Sequence, residues 1–359
     1  MKTLKRTWAD ISLDNLEYNY RSIRAHLPQG TKFLGVMKAD AYGHGAVPVS
    51  RALADLGAEY LAVSNLEEAV QIRRGEVRLP ILILGYTPAE YAANMIFLDI
   101  TQEVHSLEYA RELNEALAGT NYILNVHLKL DTGMTRIGFF AYDNERTLDE
   151  LRQVAQLPHL HIEGVFMHFC VADSRAEADV SFTKLQYKRF MDMLSAMAGV
   201  GIRPEIRHCC NSGATILYPE FALDMVRPGI ITYGNAPSDE LEGALSLRPM
   251  MSLHSMIAQV RTVPAGTDIS YGRLYRTTHD TRVAVLPIGY ADGLSRLLTG
   301  KASFYLRGKL VPVIGRICMD MCMLDVSEVP DAKPGDIVTI FGYDDDGTLV
   351  PCERLAAAQ

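Results

Sequence analysis

The feature that most constrains the fold of this chain is a regular alternation of short apolar segments with longer amphipathic ones, from about residue 33 to about residue 235. Apolar residues recur at three- and four-residue steps in "EEAVQIRRG", "SLEYARELNEALAG" and "FTKLQYKRFMDMLSAMA", which predicts helices between the strands. The strand candidates are "FLGVMKA", "YLAVSN", "ILILGY", "IFLDIT", "ILNVHLKLD", "IEGVFMHF", "EIRHC" and "DMVRPG". Eight such units predict a (β/α)₈ barrel, because a doubly wound sheet normally uses fewer strands over this length.

After about residue 240 the helical period gives way to β-branched runs separated by turn sequences. The runs are "SMIAQVRTVPAG", "TRVAVLPIGYADG", "KLVPVIGRICMDMCMLDVSEV" and "GDIVTIFGYDDDG". We therefore expect an α/β chain with a TIM-type barrel over residues 12–240 and a mostly-β C-terminal domain over residues 241–359. Residues 1–11 contain a strand that precedes the barrel, and we expect it to pair with the C-terminal domain.

Composition and charge exclude several classes of function. The formal net charge of -8 is made of interspersed signs and leaves no basic stripe for nucleic acid. No run of eighteen apolar residues predicts a membrane span, and the start "MKTLKRTWAD" is unlike a signal peptide. We therefore expect a cytoplasmic protein that acts on small molecules and has neither nucleic acid nor membrane as partner.

The cysteines predict neither a disulfide framework nor a metal site. Six cysteines are present, and none are spaced as CxxC. Cys318 and Cys322 are expected to pack as two thiols on one face of a strand.

A lysine ends the first strand of the predicted barrel in "FLGVMKADAYGHG". Barrel sites are built at this end of the strands, and a half-buried Lys38 would lose hydration there, so that its neutral amine could attack an aldehyde. A lysine that simply extends from the barrel mouth is the structural alternative. Tyr42 and the glycines around His44 form a turn that offers a phenol and backbone N–H groups to an anion.

The loops after the seventh and eighth strands carry donors that suit a phosphate group. Asn211 and Ser212 precede a helix in "HCCNSGATI", and Arg227, Gly229 and Ile230 end the last strand in "MVRPGIITYG". Phosphate sites in barrels frequently lie in these two loops. A lysine that attacks an aldehyde, together with a phosphate site, describes pyridoxal 5'-phosphate.

With these motifs the chain resembles the alanine racemases, which are fold type III enzymes dependent on pyridoxal phosphate. The resemblance covers nearly the whole length. Its motifs are "VMKADAYGHG", "KLDTGMTRIGF", "MVRPGIITYG", "ISYGRLY", "LPIGYADG" and "GRICMDMCMLDV", in the family's order and spacing. It implies racemisation of L-alanine to D-alanine, a precursor of peptidoglycan. In the family a further phosphate-site tyrosine usually follows a segment like "VPCERLAAAQ", beyond the sequence printed here.

The resemblance also implies roles for individual residues. Lys38 would bind the cofactor covalently and act as one base, and Tyr271 would be the base on the opposite cofactor face. Arg136, the backbone of Met319 and Tyr290 would contact the substrate. Lys129 would be carbamylated and would orient Arg136. The cofactor-binding set would be Lys38, Tyr42, His168, Asn211, Ser212, Arg227, Gly229 and Ile230, with no metal.

Racemisation removes the Cα proton from one face and returns a proton to the other, so it needs two bases on opposite sides of a planar cofactor. Tyr271 lies in the predicted β domain, whereas Lys38, His168 and Arg227 lie in the barrel. The resemblance implies a head-to-tail homodimer in which each site takes Lys38 from one chain and Tyr271 with Met319 from the other.

Three alternatives stay open at this point. A serine racemase of the same family shares the fold and both bases, and Met321 stands where many relatives have glutamine. A non-catalytic pyridoxal-phosphate homeostasis protein has only the barrel and lacks "ISYGRLY" and "CMDM". A fold type III decarboxylase has a similar plan, but its usual cysteine-aspartate motif is missing from this sequence.

Overall fold

The computed structural model describes residues 5–142 and 144–358, and these form two compact units. The chain begins with strand β1 (Thr7–Ile11) and helix α1 (Leu13–His26). One unit comprises Leu13–Arg248 and is called the barrel unit below. The other, the β unit, joins the described part of residues 1–12 to residues 249–358. Residues 1–4 of the expected N-terminal segment, and Gln359, lie outside the described residues.

The barrel unit is built on eight parallel strands. These are β2 (Lys32–Val36), β3 (Tyr60–Val63), β4 (Ile81–Ile83), β5 (Ile100–Val104), β6 (Leu124–Asp131), β8 (Leu160–Phe166), β9 (Ile206–His208) and β10 (Met225–Val226), and a short β7 (Phe139–Phe140) pairs with β6. Their order is β10-β2-β3-β4-β5-β6-β8-β9. Backbone hydrogen bonds from Asp224 to Arg207 (3.0 Å) and from Arg227 to Cys210 (2.9 Å) join the two end strands. The predicted barrel is therefore confirmed as a nearly closed one.

Helical segments connect the strands, and the periodicity predicts most of them, whereas the sequence predicts only a tight turn near the first one. They are α2 (Lys38–Tyr42), α3 (Ala46–Leu56), α4 (Leu66–Arg74), α5 (Ala92–Phe97), α6 (Leu107–Ala116), α7 (Asn144–Val154), α8 (Glu177–Gly199) and α9 (Ser212–Leu217). Side-chain caps begin three of them, because the side chains of Asn65, Ser106 and Asn211 accept hydrogen bonds from N–H groups in the first turns of α4, α6 and α9. None of the described helices is long and apolar enough to cross a lipid bilayer.

The interior of the barrel is apolar on one side and polar on the other. The apolar cluster is contributed by β2, β3, β4, β9 and β10 and contains Leu34, Val36, Tyr60, Ala62, Leu82, Ile206 and Met225. Strands β5, β6 and β9 bury polar side chains instead, among them Glu103, His127, Lys129 and His208. Buried polar groups are costly unless they are paired, and His127 is paired with His208 and Glu103 with His105.

The β unit is a mostly antiparallel sheet. Its strands are β1, β11 (Met251–Met256), β12 (Gln259–Val263), β13 (Asp268–Ile269), β14 (Tyr275–Arg276), β15 (Thr281–Leu286), β16 (Ser303–Leu306), β17 (Lys309–Ile314), β18 (Cys322–Asp325), β19 (Ile337–Tyr343) and β20 (Leu349–Val350), followed by α10 (Glu353–Ala357). The main order is β1-β11-β19-β16-β17-β18-β15-β12. Strand β1 pairs antiparallel with β11, with Thr7 opposite Ser255.

Three details differ from the sequence-based expectation. The strand expected over "IFLDIT" begins later, because Ile96 and Phe97 end α5 and β5 begins only at Ile100. The barrel unit continues to Arg248 rather than ending at residue 240, because Asn19 of α1 bonds the segment on both sides. Its amide donates to the carbonyls of Thr232 (3.2 Å) and Arg248 (2.8 Å), and its oxygen accepts from the Arg248 N–H (2.7 Å). The prediction of two thiols on one strand was wrong, since Cys322 begins β18 whereas Cys318 lies in the preceding loop.

Candidate active site

Five of the predicted site residues of the barrel unit lie at the same end of the barrel. Lys38 follows β2, His168 follows β8, Ser212 follows β9, and Arg227 follows β10, while Lys129 lies within β6. Parallel strands bring their carboxyl ends to one edge, which explains this grouping. Lys38 is exposed rather than half-buried as expected, because the strand ends two residues before it.

The segment after Lys38 is a left-handed helical turn. Ala39, Asp40, Ala41 and Tyr42 have φ angles of 51, 54, 55 and 55°. Left-handed helix costs about 1–2 kcal/mol per L-residue, because Cβ approaches the carbonyl oxygen, so a run of residues other than glycine needs external support. Sequence reasoning expected only a tight turn here, since Asp40 alone among these four residues readily tolerates this backbone.

Two carboxylates hold the strained turn. Glu68 of α4 accepts from the N–H groups of Ala39 (2.7 Å) and Ser64 (2.8 Å) through its two oxygens. Asp40 accepts from the N–H of Ala46 (2.7 Å), which ties the turn to the start of α3. The turn thus places Lys38 beside Tyr42, with Nζ 5.8 Å from the centre of the phenol ring.

We expect Glu68→Gln to destabilise the barrel unit by about 1–2 kcal/mol. A carboxamide has only one oxygen, so it accepts from one of the two backbone N–H groups and turns its NH₂ group toward the second. Glu67→Gln is the matched control, since Glu67 and Glu68 both lie in the first turn of α4 and both favour the helix dipole. Urea unfolding followed by circular dichroism measures both variants. Equal stabilities of the two variants would contradict the role given to Glu68.

A small polar cradle, formed by Tyr42, Ser212, Gly229 and Ile230, lies where three loops meet. Ser212 Oγ accepts from the Gly229 N–H (2.9 Å), which leaves the hydroxyl proton free to donate elsewhere. A Cβ at position 229 would come within 2.8 Å of the Tyr42 hydroxyl and 3.8 Å of Ser212 Oγ, so only glycine leaves this space open. Ile230 begins a 3₁₀ turn, and its N–H therefore has no partner within that turn.

Asn211, which is also a predicted phosphate-site residue, lies at the start of α9. The Asn211 side chain caps α9 by accepting from the Ala214 N–H (3.0 Å), and its amide donates to the Phe169 carbonyl (3.1 Å). These bonds hold the start of α9, which carries Ser212. Sequence reasoning missed Tyr233, whose hydroxyl bonds the Val36 carbonyl and whose ring contacts that of Tyr42 at 4.8 Å.

Arg227 is buried and is held by hydrogen bonds from both terminal guanidinium nitrogens, Nη1 and Nη2. Nη1 donates to His208 Nδ1 (2.9 Å), and Nη2 donates to the carbonyls of Met167 (2.7 Å) and Cys209 (3.1 Å). Nη2 also lies 3.3 Å from Nδ1 of His168. Burial lowers the pKa of Arg227 to about 10, so the side chain remains a cation at neutral pH.

Positive charge dominates the groups around Arg227. Burial, followed by the charges of Arg227 and Lys129, lowers the pKa of His168 well below its ordinary value. Burial, Arg227 and Arg136 likewise lower the pKa of Lys129 well below that of a free lysine. Both groups are therefore driven toward their neutral forms, while Arg136 stands exposed on the loop after β6.

Tyr271, Tyr290 and Met319 belong to the β unit. Tyr271 is 70% exposed and lies between residues with positive φ, namely Ser270 (66°) and Gly272 (73°). Asp268 bonds Arg273 (2.6 Å), and the hydroxyl of Ser270 bonds the carbonyl of Arg316 (2.6 Å). These contacts hold the strained turn that presents the phenol.

The loops that carry Tyr290 and Met319 are bonded to each other. The N–H groups of Tyr290 and Ala291 donate to the carbonyls of Cys318 (3.0 Å) and Met319 (2.9 Å). A Cβ at Gly289 would come within 2.3 Å of these two carbonyl oxygens, so the close approach requires glycine. A cavity of the β unit is lined by both Tyr271 and Met319.

The comparisons with known proteins agree with this organisation. Residues 11–237 match the family model described as "Alanine racemase, N-terminal domain", and residues 250–359 match "Alanine racemase, C-terminal domain". An alanine racemase of Desulfovibrio desulfuricans is 46% identical over 350 residues, covering 98% of this chain and 92% of that protein. The solved alanine racemase of Clostridium difficile 630 matches with a TM-score of 0.92 at 40% identity, over 99% of this chain and 91% of that one. Its complex with cycloserine matches with a TM-score of 0.89 at 37% identity, over the same shares.

Proposed function

Because this chain belongs to the alanine racemase family, we propose that it interconverts L-alanine and D-alanine with pyridoxal 5'-phosphate bound at the barrel mouth. The chain is an enzyme, an amino-acid racemase and hence an isomerase. The observation that carries the cofactor assignment is the cradle of Tyr42, Ser212 and Gly229 beside Lys38. In this proposal the reaction takes place in the cytoplasm and supplies D-alanine for peptidoglycan.

The residues at the barrel mouth fit the proposed cofactor. The cradle supplies two hydroxyl donors and the N–H of Ile230, which suit a phosphate, and glycine leaves the space that such a group needs. Burial raises the pKa of the Tyr42 phenol, which keeps it a donor toward an anion. Arg227 offers only hydrogen-bond donors, so it suits an unprotonated pyridine nitrogen.

Two bases would share the proton transfers. When bound, the cofactor supplies the electron withdrawal that makes the Cα proton of the amino acid acidic. The Lys38 amine would take or return this proton on one face, and the Tyr271 hydroxyl would do so on the other. Tyr271 lies exposed on a turn that hydrogen bonds hold in place, and Lys38 begins a left-handed turn that is held in the same way. Hydrogen bonds therefore support the backbone next to each proposed base.

Substrate binding would use the exposed cation of Arg136 and the backbone of Met319. The Met319 carbonyl already accepts from Ala291, which leaves its N–H as the group available to an oxygen of the substrate. Tyr290 would line the entrance. The lowered pKa of Lys129 supports carbamylation, since only a neutral amine adds to carbon dioxide; the N–C bond forms, one proton leaves, and the resulting anion would orient Arg136.

The proposed active unit is a homodimer. Lys38 belongs to the barrel unit and Tyr271 with Met319 to the β unit, and the family resemblance implies that each site takes these parts from different chains.

Incubation of the purified protein with L-alanine and with L-serine, followed by chiral chromatography, tests this function. We expect D-alanine to accumulate until the two enantiomers are equal, because a racemase cannot shift an equilibrium constant of one. Faster conversion of L-serine would favour the serine racemase. Absence of both D-products from cofactor-loaded protein would reject racemisation of both amino acids.

A further inference from the structure

A chain of hydrogen-bonded side chains runs through the barrel interior from Arg227 toward the opposite end of the strands. Arg227 Nη1 lies 2.9 Å from His208 Nδ1, and His208 Nε2 lies 2.9 Å from His127 Nδ1. His127 Nε2 in turn lies 3.1 Å from Oε2 of Glu163. Both histidines are fully buried, so neither ring can exchange its partners for water.

The chain Arg227–His208–His127–Glu163 is called the relay below. Its two ends fix which group donates and which accepts at every link. Guanidinium can only donate, so His208 must accept at Nδ1 and carry its proton on Nε2. That proton is donated to Nδ1 of His127, which must therefore carry its own proton on Nε2. A carboxylate can only accept, so Glu163 accepts the hydrogen bond from the Nε2–H of His127. Every link agrees with one set of tautomers.

Electrostatics keep both rings neutral and the last carboxylate charged. Burial and the charge of Arg227 lower the pKa of His208 well below its ordinary value. Burial also lowers the pKa of His127, and it outweighs the opposing hydrogen bond and charge of Glu163. Burial opposes the ionisation of Glu163, but hydrogen bonds from His127, Tyr60 and Thr101 outweigh it and lower its pKa. A neutral imidazole ring carries one N–H proton. Each ring therefore donates through one nitrogen and accepts through the other, as the relay requires.

Strand β8 is specially shaped to seat the far end of the relay. The register between β6 and β8 shifts by one residue between Val126 and His127: Ile162 is paired with Val126, but Gly164 is paired with His127. Glu163 is therefore the extra residue of a β-bulge, a device that re-aims a side chain. A Cβ at Gly164 would come within 2.6 Å of three atoms of the His127 ring, so glycine makes room for that ring.

We propose that Glu163 and His127 are positioning residues for the reaction, which hold His208 as the Nε2–H tautomer and so keep its Nδ1 as the acceptor that orients Arg227. The part of this inference that concerns the reaction rests on the proposed function, because it gives Arg227 its place beside the cofactor. The tautomer order is a property of the chain itself.

Loss of the carboxylate would remove the constraint at one end. In Glu163→Leu, the Nε2–H of His127 has no acceptor, and the ring gains from moving its proton to Nδ1 or from rotating. A proton on His127 Nδ1 would face the Nε2–H of His208, donor against donor. His208 would then lose its fixed tautomer, and the contact with Arg227 would loosen.

Nitrogen-15 NMR of the cofactor-free protein, labelled in its histidine rings, reads the tautomers directly. We expect His208 and His127 to be neutral Nε2–H tautomers in the wild type, assigned by loss of their signals in single substitutions. Glu163→Leu should give mixed tautomers at both rings. Glu163→Gln should keep them, since the amide oxygen still accepts. Tyr60→Phe is the matched control, because it removes a buried hydroxyl that bonds Glu163 Oε1 (2.9 Å) and leaves the relay intact.

The racemase assay supplies the second readout. We expect kcat to fall about tenfold in Glu163→Leu with KM little changed, and to recover in Glu163→Gln, since outer contacts that orient a functional group carry effects of this size. If Glu163→Leu does not fold, His127→Leu tests the same prediction at the next link.

Several results would overturn the proposal. A proton on Nδ1 of His208 in the wild type would reject the tautomer order. Unchanged tautomers in both leucine variants, or mixed tautomers with unchanged kcat, would reject the positioning role. If the wild type itself did not racemise any amino acid, the proposed function would fall, and the spectra of the cofactor-free protein would still decide the order of the relay.

Discussion

The Lys38→Ala protein is expected to show at least a ~1,000-fold loss of racemase activity, the largest effect of any single substitution at the site. Lys38 would act both as the covalent anchor of the cofactor and as one of the two bases, so the substitution removes two contributions together. Its exposed position after β2 means that alanine leaves no buried cavity. The protein should therefore fold normally, with a thermal unfolding midpoint close to that of the wild type.

Borohydride reduction followed by peptide mass spectrometry separates the anchoring role from the catalytic one. In the wild type the reduced cofactor should be found on the peptide that contains Lys38, and in Lys38→Ala on no peptide. Lys32→Ala is the control, because Lys32 begins the same strand at the opposite end of the barrel. Cofactor attached to another lysine of the wild type would show that the wrong residue has been chosen.

Mixing two inactive variants is expected to restore about a quarter of the wild-type activity if each site is shared between chains. Lys38→Ala and Tyr271→Ala homodimers should each be nearly inactive, because every site lacks one base. Unfolding and refolding equal amounts together gives about one half heterodimers by random pairing. Each heterodimer then has one site with both lesions and one intact site.

The same experiment excludes the alternative arrangement. If Lys38 and Tyr271 met within one chain, every site of a heterodimer would carry one lesion, and no activity would return. Distinct affinity tags on the two variants allow the heterodimer to be isolated and its abundance measured. Refolding each variant with itself controls for activity that the refolding step alone recovers. Inactive heterodimers would therefore reject the shared site while leaving both bases assigned.

Much of this protein was predictable from local sequence pattern. The alternation of apolar and amphipathic segments predicted seven of the eight barrel strands close to their observed positions, because strands and helices differ in the spacing of their apolar residues. The strand expected over "IFLDIT" was displaced, since Ile96 and Phe97 end α5 and β5 begins at Ile100. The rule that parallel strands end at one edge then predicts that Lys38, Ser212 and Arg227 lie at the same end of the barrel, which the structure shows. The turn-rich texture after residue 240 likewise indicated a mostly-β unit.

Other properties were decided only by the tertiary structure, because they depend on residues distant in the chain. The left-handed backbone from Ala39 to Tyr42 contradicts local preference and is held by Glu68, 29 positions beyond Ala39. The His127–His208 and His127–Glu163 contacts span 81 and 36 positions, and the bulge that aims Glu163 arises from pairing between strands. Sequence by itself therefore determined which elements form and where functional groups collect. Packing set the direction of the hydrogen bonds and the backbone strain, since both depend on groups that meet only after the chain has folded.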